Sequence, residues 1–274
     1  MDNHNVKIII ATHKKYEMPT DPIYLPLHVG AEGKKDTEGK ELNLGYVKDN
    51  YGTNISNKNS SFCELTGLYW AWKNLRVDYI GLAHYRRHFS ARKKSRNPFE
   101  NVLNSKEIYN LVPRFKVIVP QKRNYYIETL YSHYKHTHHV EQLDETKKII
   151  AEKYPNYIKE YNVVMQRRWA YMFNMMIMER TLLSDYCAWL FDILFELEKR
   201  IDTSGLSFYQ GRFYGRISEL IYNVWLQHQL DMGILRKDDI KELPYIYMES
   251  IDWRKKACAF LKSKFLHTKY NSSF

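Results

Sequence analysis

Asp78-Tyr79-Ile80-Gly81-Leu82-Ala83-His84-Tyr85-Arg86-Arg87-His88-Phe89 is an apolar run that ends abruptly in packed cationic and aromatic side chains. Tyr79, Ile80 and Leu82 suit a buried strand, and Gly81 permits close approach of a neighbour. Past Ala83 the chemistry changes. His84, Arg86 and Arg87 offer charge-assisted hydrogen bonds to phosphate or carboxylate, and arginine presents them as a rigid fork. Such donors at the carboxyl end of a strand are how an α/β fold meets an anionic ligand. Taken alone, the stretch also suits a solvated basic loop, so its neighbours decide.

Val6 to Ala11 reads as a first buried strand, with Thr12-His13-Lys14 directly after it. If the two strands are neighbours, both cationic groups share one crevice. Asn59, Ser60 and Ser61 precede a predicted helix, Phe62 to Asn74, whose apolar face is Leu65, Leu68, Tyr69 and Trp72. Glu64 lies near that face, where solvation is its default. Helix followed by strand makes an αβ unit, and Phe115 to Pro120 is a further strand. Residues 18–57 hold Pro19, Pro22 and Pro26 and predict a long irregular loop, substrate-facing and ordering on binding. Its run Gly30 to Lys35 lacks the spacing of a Walker loop or a dinucleotide fingerprint.

The second half reads as helical. Glu141 to Lys153 is amphipathic and ends at Tyr154-Pro155. Arg168 to Met178 is a buried run with Asn174 as its polar exception. Thr181 or Ser184 begins a helix to about Lys199, Gly205 to Gly215 is a turn region, and Arg216 to Leu230 is a further helix. The expected fold is α/β with a mixed central sheet and a helical C-terminal part. It comprises one domain over 1–250 and a tail over 251–274.

An apolar fraction of 44% supports a real core and excludes a disordered chain. The formal charge of +11 favours a polyanionic ligand, an anionic membrane surface or a nucleic acid. No zinc finger or short RNA-binding motif is present and the basic residues are dispersed, so nucleic acid is not expected. Cys63, Cys187 and Cys258 are scattered, which suits a reduced cytoplasm. No stretch reads as a signal peptide or a spanning helix.

Four constellations carry chemistry. The first, Thr12, His13, Lys14, His84, Arg86 and Arg87, is the candidate anion site; bracing of the sheet edge is the alternative. The second, His133, Tyr134 and His136, suits a polar aromatic wall for sugar hydroxyls, and its spacing matches no specific metal motif. The third is Arg212, Arg216 and Glu219. Glu219 falls in the first turn of the predicted helix, either as a base for a hydroxyl or as a partner of the arginines. Asp185, near a helix start, is a second candidate base or a cap. The fourth, Asn174, needs partners in the backbone or on an acceptor sugar.

Taken together, Ile10-Ala11-Thr12-His13-Lys14, Cys63 to Asn74, Gly81 to Arg87, His133-Tyr134, Asn174-Met175, Tyr186 to Phe191 and Arg212 to Glu219 resemble the DUF4422 family of bacterial capsular and exopolysaccharide biosynthesis proteins. The resemblance implies a GT-A-like nucleotide-diphospho-sugar transferase fold. It further implies hexose transfer, galactofuranose in some relatives, from a UDP-sugar to a lipid-linked capsular or cell-surface glycan. Donor contacts then fall to Thr12, His13, Lys14, His84, Arg86, Arg87, Arg212 and Arg216. Acceptor contacts fall to His133, Tyr134, His136 and Asn174, and catalysis to Glu219 or Asp185, with inversion if Glu219 lies under the acceptor hydroxyl. No Asp-x-Asp occurs in the chain. The expectation is therefore transfer in which arginines stand where other enzymes use a divalent ion.

Residues 251–274 interleave Trp253, Phe260 and Phe265 with Lys255, Lys256, Lys262 and Lys264. Such a segment can lie on the inner face of the cell membrane. A homodimer is left open. The rival readings are a non-catalytic glycan-binding or assembly subunit and another nucleotide-sugar-dependent transferase.

Overall fold

The computed structural model describes residues 4–90 and 95–249. Its strands are β1 (Val6–Thr12), β2 (Tyr24–His28), β3 (Val47–Lys48), β4 (Tyr79–His84), β5 (Arg87–Phe89), β6 (Val117–Pro120), β7 (Arg123–Asn124), β8 (Trp169–Ala170), β9 (Met176–Glu179), β10 (Ile240–Leu243) and β11 (Tyr245–Tyr247). Its helices are α1 (Asn59–Phe62), α2 (Leu65–Asn74), α3 (Ser105–Leu111), α4 (Leu130–Thr137), α5 (Val140–Lys153), α6 (Ile158–Met165), α7 (Arg180–Arg200) and α8 (Phe213–Asp231). The described chain forms two compact units.

The first unit holds the described residues up to Gln121, with Phe173–Cys187 and Arg236–Glu249. Its sheet runs β10-β6-β9-β4-β1-β2-β3, with β5 beside β4 and β11 beside β5. β1 is parallel to β2 and β4, and β6 to β10; β9 runs antiparallel to β4 and β6. The sheet is thus mixed, as expected. Ile8, Ile9 and Ile10 of β1 are all fully buried, so both faces of this strand are covered. That demands an unbroken apolar run rather than an alternating one. In β4, Gly81 sits between Ile8 and Ile177, where a Cβ would lie 2.9 Å from Cγ1 of each. The glycine answers to sheet packing, not to a ligand.

Residues 18–57 are not a single loop. They carry β2, which completes the buried side of β1, and the short β3. Pro26 is tolerated because β3 pairs only with Leu27 and His28. The remainder is tied to Asp49, which is fully buried. One carboxylate oxygen accepts from the Gly30 amide (2.9 Å) and the Thr66 hydroxyl (2.7 Å). The other accepts from the Ala31 amide (3.1 Å) and the Ser56 hydroxyl. Gly30 has φ +66° and a Cβ there would strike Asn59 at 2.5 Å, so only glycine fits this turn.

The predicted helix 62–74 is broken at Cys63, whose φ is 54° and ψ −132°. Asn59 Nδ2 and the Thr66 backbone amide donate to the Cys63 carbonyl that the break frees. Glu64 thereby becomes the residue that starts α2. Leu65 and Leu68 are buried as expected, whereas Tyr69 and Trp72 are half-buried and Trp70 and Ala71 are buried in their place. Lys73 Nζ lies 3.4 Å from the Trp72 ring centroid.

The second unit holds 122–172 and 188–235 among the described residues. It is a helical bundle of α4, α5, α6, the end of α7 and α8, with β7 and β8 as a two-stranded ribbon. The centre is α8, buried at Phe213, Tyr214, Ile217, Leu220, Ile221, Val224 and Trp225. Asn223 clasps the ribbon: it accepts from the Tyr171 amide and donates to the Tyr171 carbonyl. Residues 168–178 are not uniformly buried, since Arg168 is exposed and Trp169 and Tyr171 are half-buried.

The basic segment 251–274 lies outside the described residues. No helix among the described residues is long and apolar enough to cross a membrane.

Candidate functional site

In the first unit, Ala11 pairs with His84, so β1 and β4 end side by side. The two groups singled out in the sequence therefore follow neighbouring strand ends. Thr12 is fully buried and donates its hydroxyl to the Lys14 carbonyl at 2.7 Å, shaping the turn rather than facing a ligand. His13 and Lys14 are exposed. The His13 ring meets Tyr85 edge-on at 5.5 Å, and Tyr85 stacks on Tyr16 at 4.2 Å.

The two arginines differ. Arg86 is ion-paired, its Nε 2.9 Å from Glu249 Oε2, with both side chains partly exposed. Arg87 lies on β5 opposite Tyr247 of β11. Its guanidinium carbon sits 4.4 Å from the Phe173 ring centroid and 5.2 Å from that of Tyr247. Its buried Nε has no hydrogen-bond partner, and among the described residues Arg87 forms no ion pair. A cation held against two aromatic rings, with no acid among the described residues, keeps its N–H groups available to an anion.

His84 departs from the expected cationic donor. Its Nε2 lies 2.6 Å from the Phe173 carbonyl oxygen, which can only accept, so the ring's N–H is spent there. Burial lowers its pKa; Glu64 opposes that and Arg87 adds to it. Phe173 and Asn174 both have positive φ, 74° and 51°. Asn174 is buried and its Nδ2 donates to Glu64 Oε1 at 2.6 Å. With Cys63 at φ 54°, three non-glycine residues in strained conformations surround His84 and its carboxylate neighbour. Asn174 thus takes a carboxylate partner rather than only backbone.

Asp185 is not brought here. It is exposed, six residues into α7, so it caps no helix end. The preceding Ser184 accepts from Trp72 Nε1. Trp72 stands eight residues along α2 from Glu64, about 12 Å of helical rise.

His88, next on β5, is fully buried with no partner on either ring nitrogen. Burial, helped by His84, drives its pKa down to about 4 from 6.5. The fold therefore favours the neutral ring. Its contribution is complete above pH 6.5 and is lost as pH falls toward 4, by about 3 kcal/mol. Urea unfolding of the wild type should show this slope between pH 6.5 and 4, and His88→Phe should flatten it.

In the second unit, Glu128 is buried and clamps two histidines: His133 Nδ1 at 2.9 Å and His136 Nδ1 at 2.6 Å. The hydrogen bond from His133 holds Glu128 low, while burial lowers His133 despite the carboxylate. Tyr134 faces inward, its hydroxyl donating to Gln142 Oε1 at 2.6 Å. Helix α8 starts at Phe213 because Phe213 and Tyr214 are core residues, so Glu219 lies in its second turn, not the first. Glu219 is close enough to Tyr125 to raise that phenol's pKa, after burial, to about 12. Arg216 donates to the Tyr209 carbonyl and lies over the Tyr209 ring, so it does not pair with Glu219. Arg212 lies 5.8 Å from the Phe208 ring centroid.

Glu64, Phe173, Tyr247, Glu249 and Glu128 were not legible as site residues. Only the Tyr245-Ile246-Tyr247 alternation hints at a strand with two aromatic side chains on one face.

The family described as a domain of unknown function, DUF4422, matches residues 7–230. No curated protein matches the chain. Among solved structures, the apo form of the bifunctional glycosyltransferase WbbM is similar, with a TM-score of 0.81 and 28% identity over 90% of this chain. The chain spans 46% of that protein's length. The fold is α/β and GT-A-like.

Proposed function

We propose, from the premise that this chain belongs to the DUF4422 family, that it is a glycosyltransferase holding the diphosphate of a nucleotide-sugar donor at the carboxyl ends of β1 and β4. The observation that carries this reading is Arg87, a cation held against the mutually perpendicular rings of Phe173 and Tyr247 with no acid partner among the described residues. The likeness to WbbM supplies the reaction class. Lys14 adds a further positive charge at the same strand ends, beside His13 and the Arg86–Glu249 pair. In transfer, the acceptor hydroxyl gives up its proton to a base or to water and its oxygen bonds to the anomeric carbon, while the bond from that carbon to the diphosphate breaks. The charge left on the diphosphate meets a guanidinium already in place.

GT-A-like transferases commonly employ a divalent ion, and the residues here do not fit one. The strand end carries two guanidiniums, and no group of three or more histidines, cysteines or carboxylates among the described residues comes together to hold an ion. The finer reading is hexose transfer, galactofuranose among the candidates, from a UDP-sugar to a lipid-linked capsular or cell-surface glycan at the inner membrane face.

Mass spectrometry of a lipid-linked acceptor pool, incubated with single UDP-sugars with and without chelator, tests this. The expected result is one added hexose mass that persists under chelation. Transfer that stops with chelator and returns with Mn²⁺ would sink the metal-free mechanism. No transfer from any donor would favour the glycan-binding reading.

A further inference from the structure

We propose that His84 reads a ligand hydroxyl: its Nδ1 accepts a hydrogen bond from a hydroxyl on the same ligand whose anion Arg87 holds. This deepens the transferase reading and rests on it for the class of ligand. The argument begins with the Phe173 carbonyl, which only accepts and lies 2.6 Å from His84 Nε2. That nitrogen therefore carries the ring's hydrogen. A neutral imidazole has one N–H, so Nδ1 holds a lone pair. Among the described residues no group donates to Nδ1.

The surroundings keep the ring in this form. Glu64, at the start of α2, favours the protonated ring; burial and Arg87 oppose it, and His88 on β5 is a further neighbour. The outcome is a pKa below the ordinary value. The backbone is also committed to aiming one carbonyl. Phe173 and Asn174 both adopt left-handed conformations, and the Asn174 side chain is fixed by Glu64. Strain of this kind persists where the surroundings enforce it and gathers at functional sites.

The strand end then offers two complementary contacts three residues apart in sequence: an acceptor at His84 and a cation at Arg87. A free phosphate or pyrophosphate satisfies only the second. A phosphorylated polyol, such as a sugar or ribose carrying a diphosphate, satisfies both.

Calorimetry with pyrophosphate, UDP-glucose and UDP-galactose on wild type, His84→Gln and Arg87→Met tests this. Glutamine can still donate to Phe173 through its amide but places no acceptor at Nδ1. His84→Gln should weaken the better-bound sugar nucleotide about tenfold and change pyrophosphate by less than about twofold. Arg87→Met should weaken both. In addition, ¹⁵N resonances of wild-type His84 at pH 7 should show the neutral Nε2–H tautomer, free and with pyrophosphate bound. A ring protonated on both nitrogens when pyrophosphate binds would overturn the inference, and this readout needs no variant. Equal weakening of pyrophosphate and sugar nucleotide by His84→Gln would overturn it as well. The expected pattern without transfer to any acceptor would remove the transferase reading and leave His84 as the hydroxyl acceptor.

Discussion

Arg87→Met should lower kcat/KM for sugar transfer by about 10²- to 10³-fold, the usual cost of removing one preorganised donor to a developing oxyanion. The size of the effect follows from how this guanidinium is held. Among the described residues it has no acid to pair with, and it lies against the perpendicular rings of Phe173 and Tyr247, so it is oriented before any ligand arrives. Methionine fills much of the stem's volume and can still pack on the rings. The stability lost is the cation–π share, about 1 kcal/mol per ring at most for a half-exposed group. Activity and melting temperature should therefore separate, with the first collapsing and the second moving little. Arg87→Lys should recover only part of the loss, because an ammonium lacks the planar fork that lies flat on a ring and meets two oxygens. Arg86→Met should cost less, since Arg86 is already neutralised by Glu249. A methionine variant within about threefold of wild type would mean that the diphosphate binds elsewhere.

The second large effect is on stability. Asp49→Asn should destabilise the chain by about 3 to 5 kcal/mol, as breaking buried charged networks does, and lower Tm by about 10 °C. The substitution is nearly isosteric, so packing is not the cause. Each carboxylate oxygen of Asp49 faces one backbone amide, Gly30 on one side and Ala31 on the other. An asparagine has one oxygen and one NH₂ group. Whichever way it is turned, two N–H donors confront each other in a fully buried place. Ser56 and Thr66 can rotate their hydroxyls to relieve part of the conflict; the amides cannot. Ser56→Ala or Thr66→Val should accordingly cost much less. An asparagine variant as stable as wild type would show that Asp49 is not the anchor of residues 29–58.

The strands β1, β4 and β6 were legible because a central strand writes its burial directly as a run of apolar residues, as in Ile8-Ile9-Ile10. The pairing of β1 with β4, and hence the meeting of His13 with the His84 strand end, stood in the sequence only as a condition, which the register of the two strands meets. Helices α5 and α7 were legible from period and flanking residues. What stayed hidden depends on distant partners. β2 contains Pro26 and exists because β1 needs a neighbour on that side. The break at Cys63 is fixed by Asn59 Nδ2 and the Thr66 amide, and the left-handed Phe173 sets its carbonyl against His84 Nε2. Tyr134 looked ready for a sugar, yet its hydroxyl is spent inside on Gln142. A polar side chain in a sequence does not announce whether its partner is the protein or a ligand.

The pairing of β5 with β11 has a consequence for biosynthesis. Tyr247, which orients Arg87, is translated about 160 residues after it, roughly 10 to 30 seconds later at ordinary elongation rates. Until then the nascent chain can build β1 and β4 but cannot hold the guanidinium in place. Competence for anion capture is therefore acquired only once Tyr247 has been made.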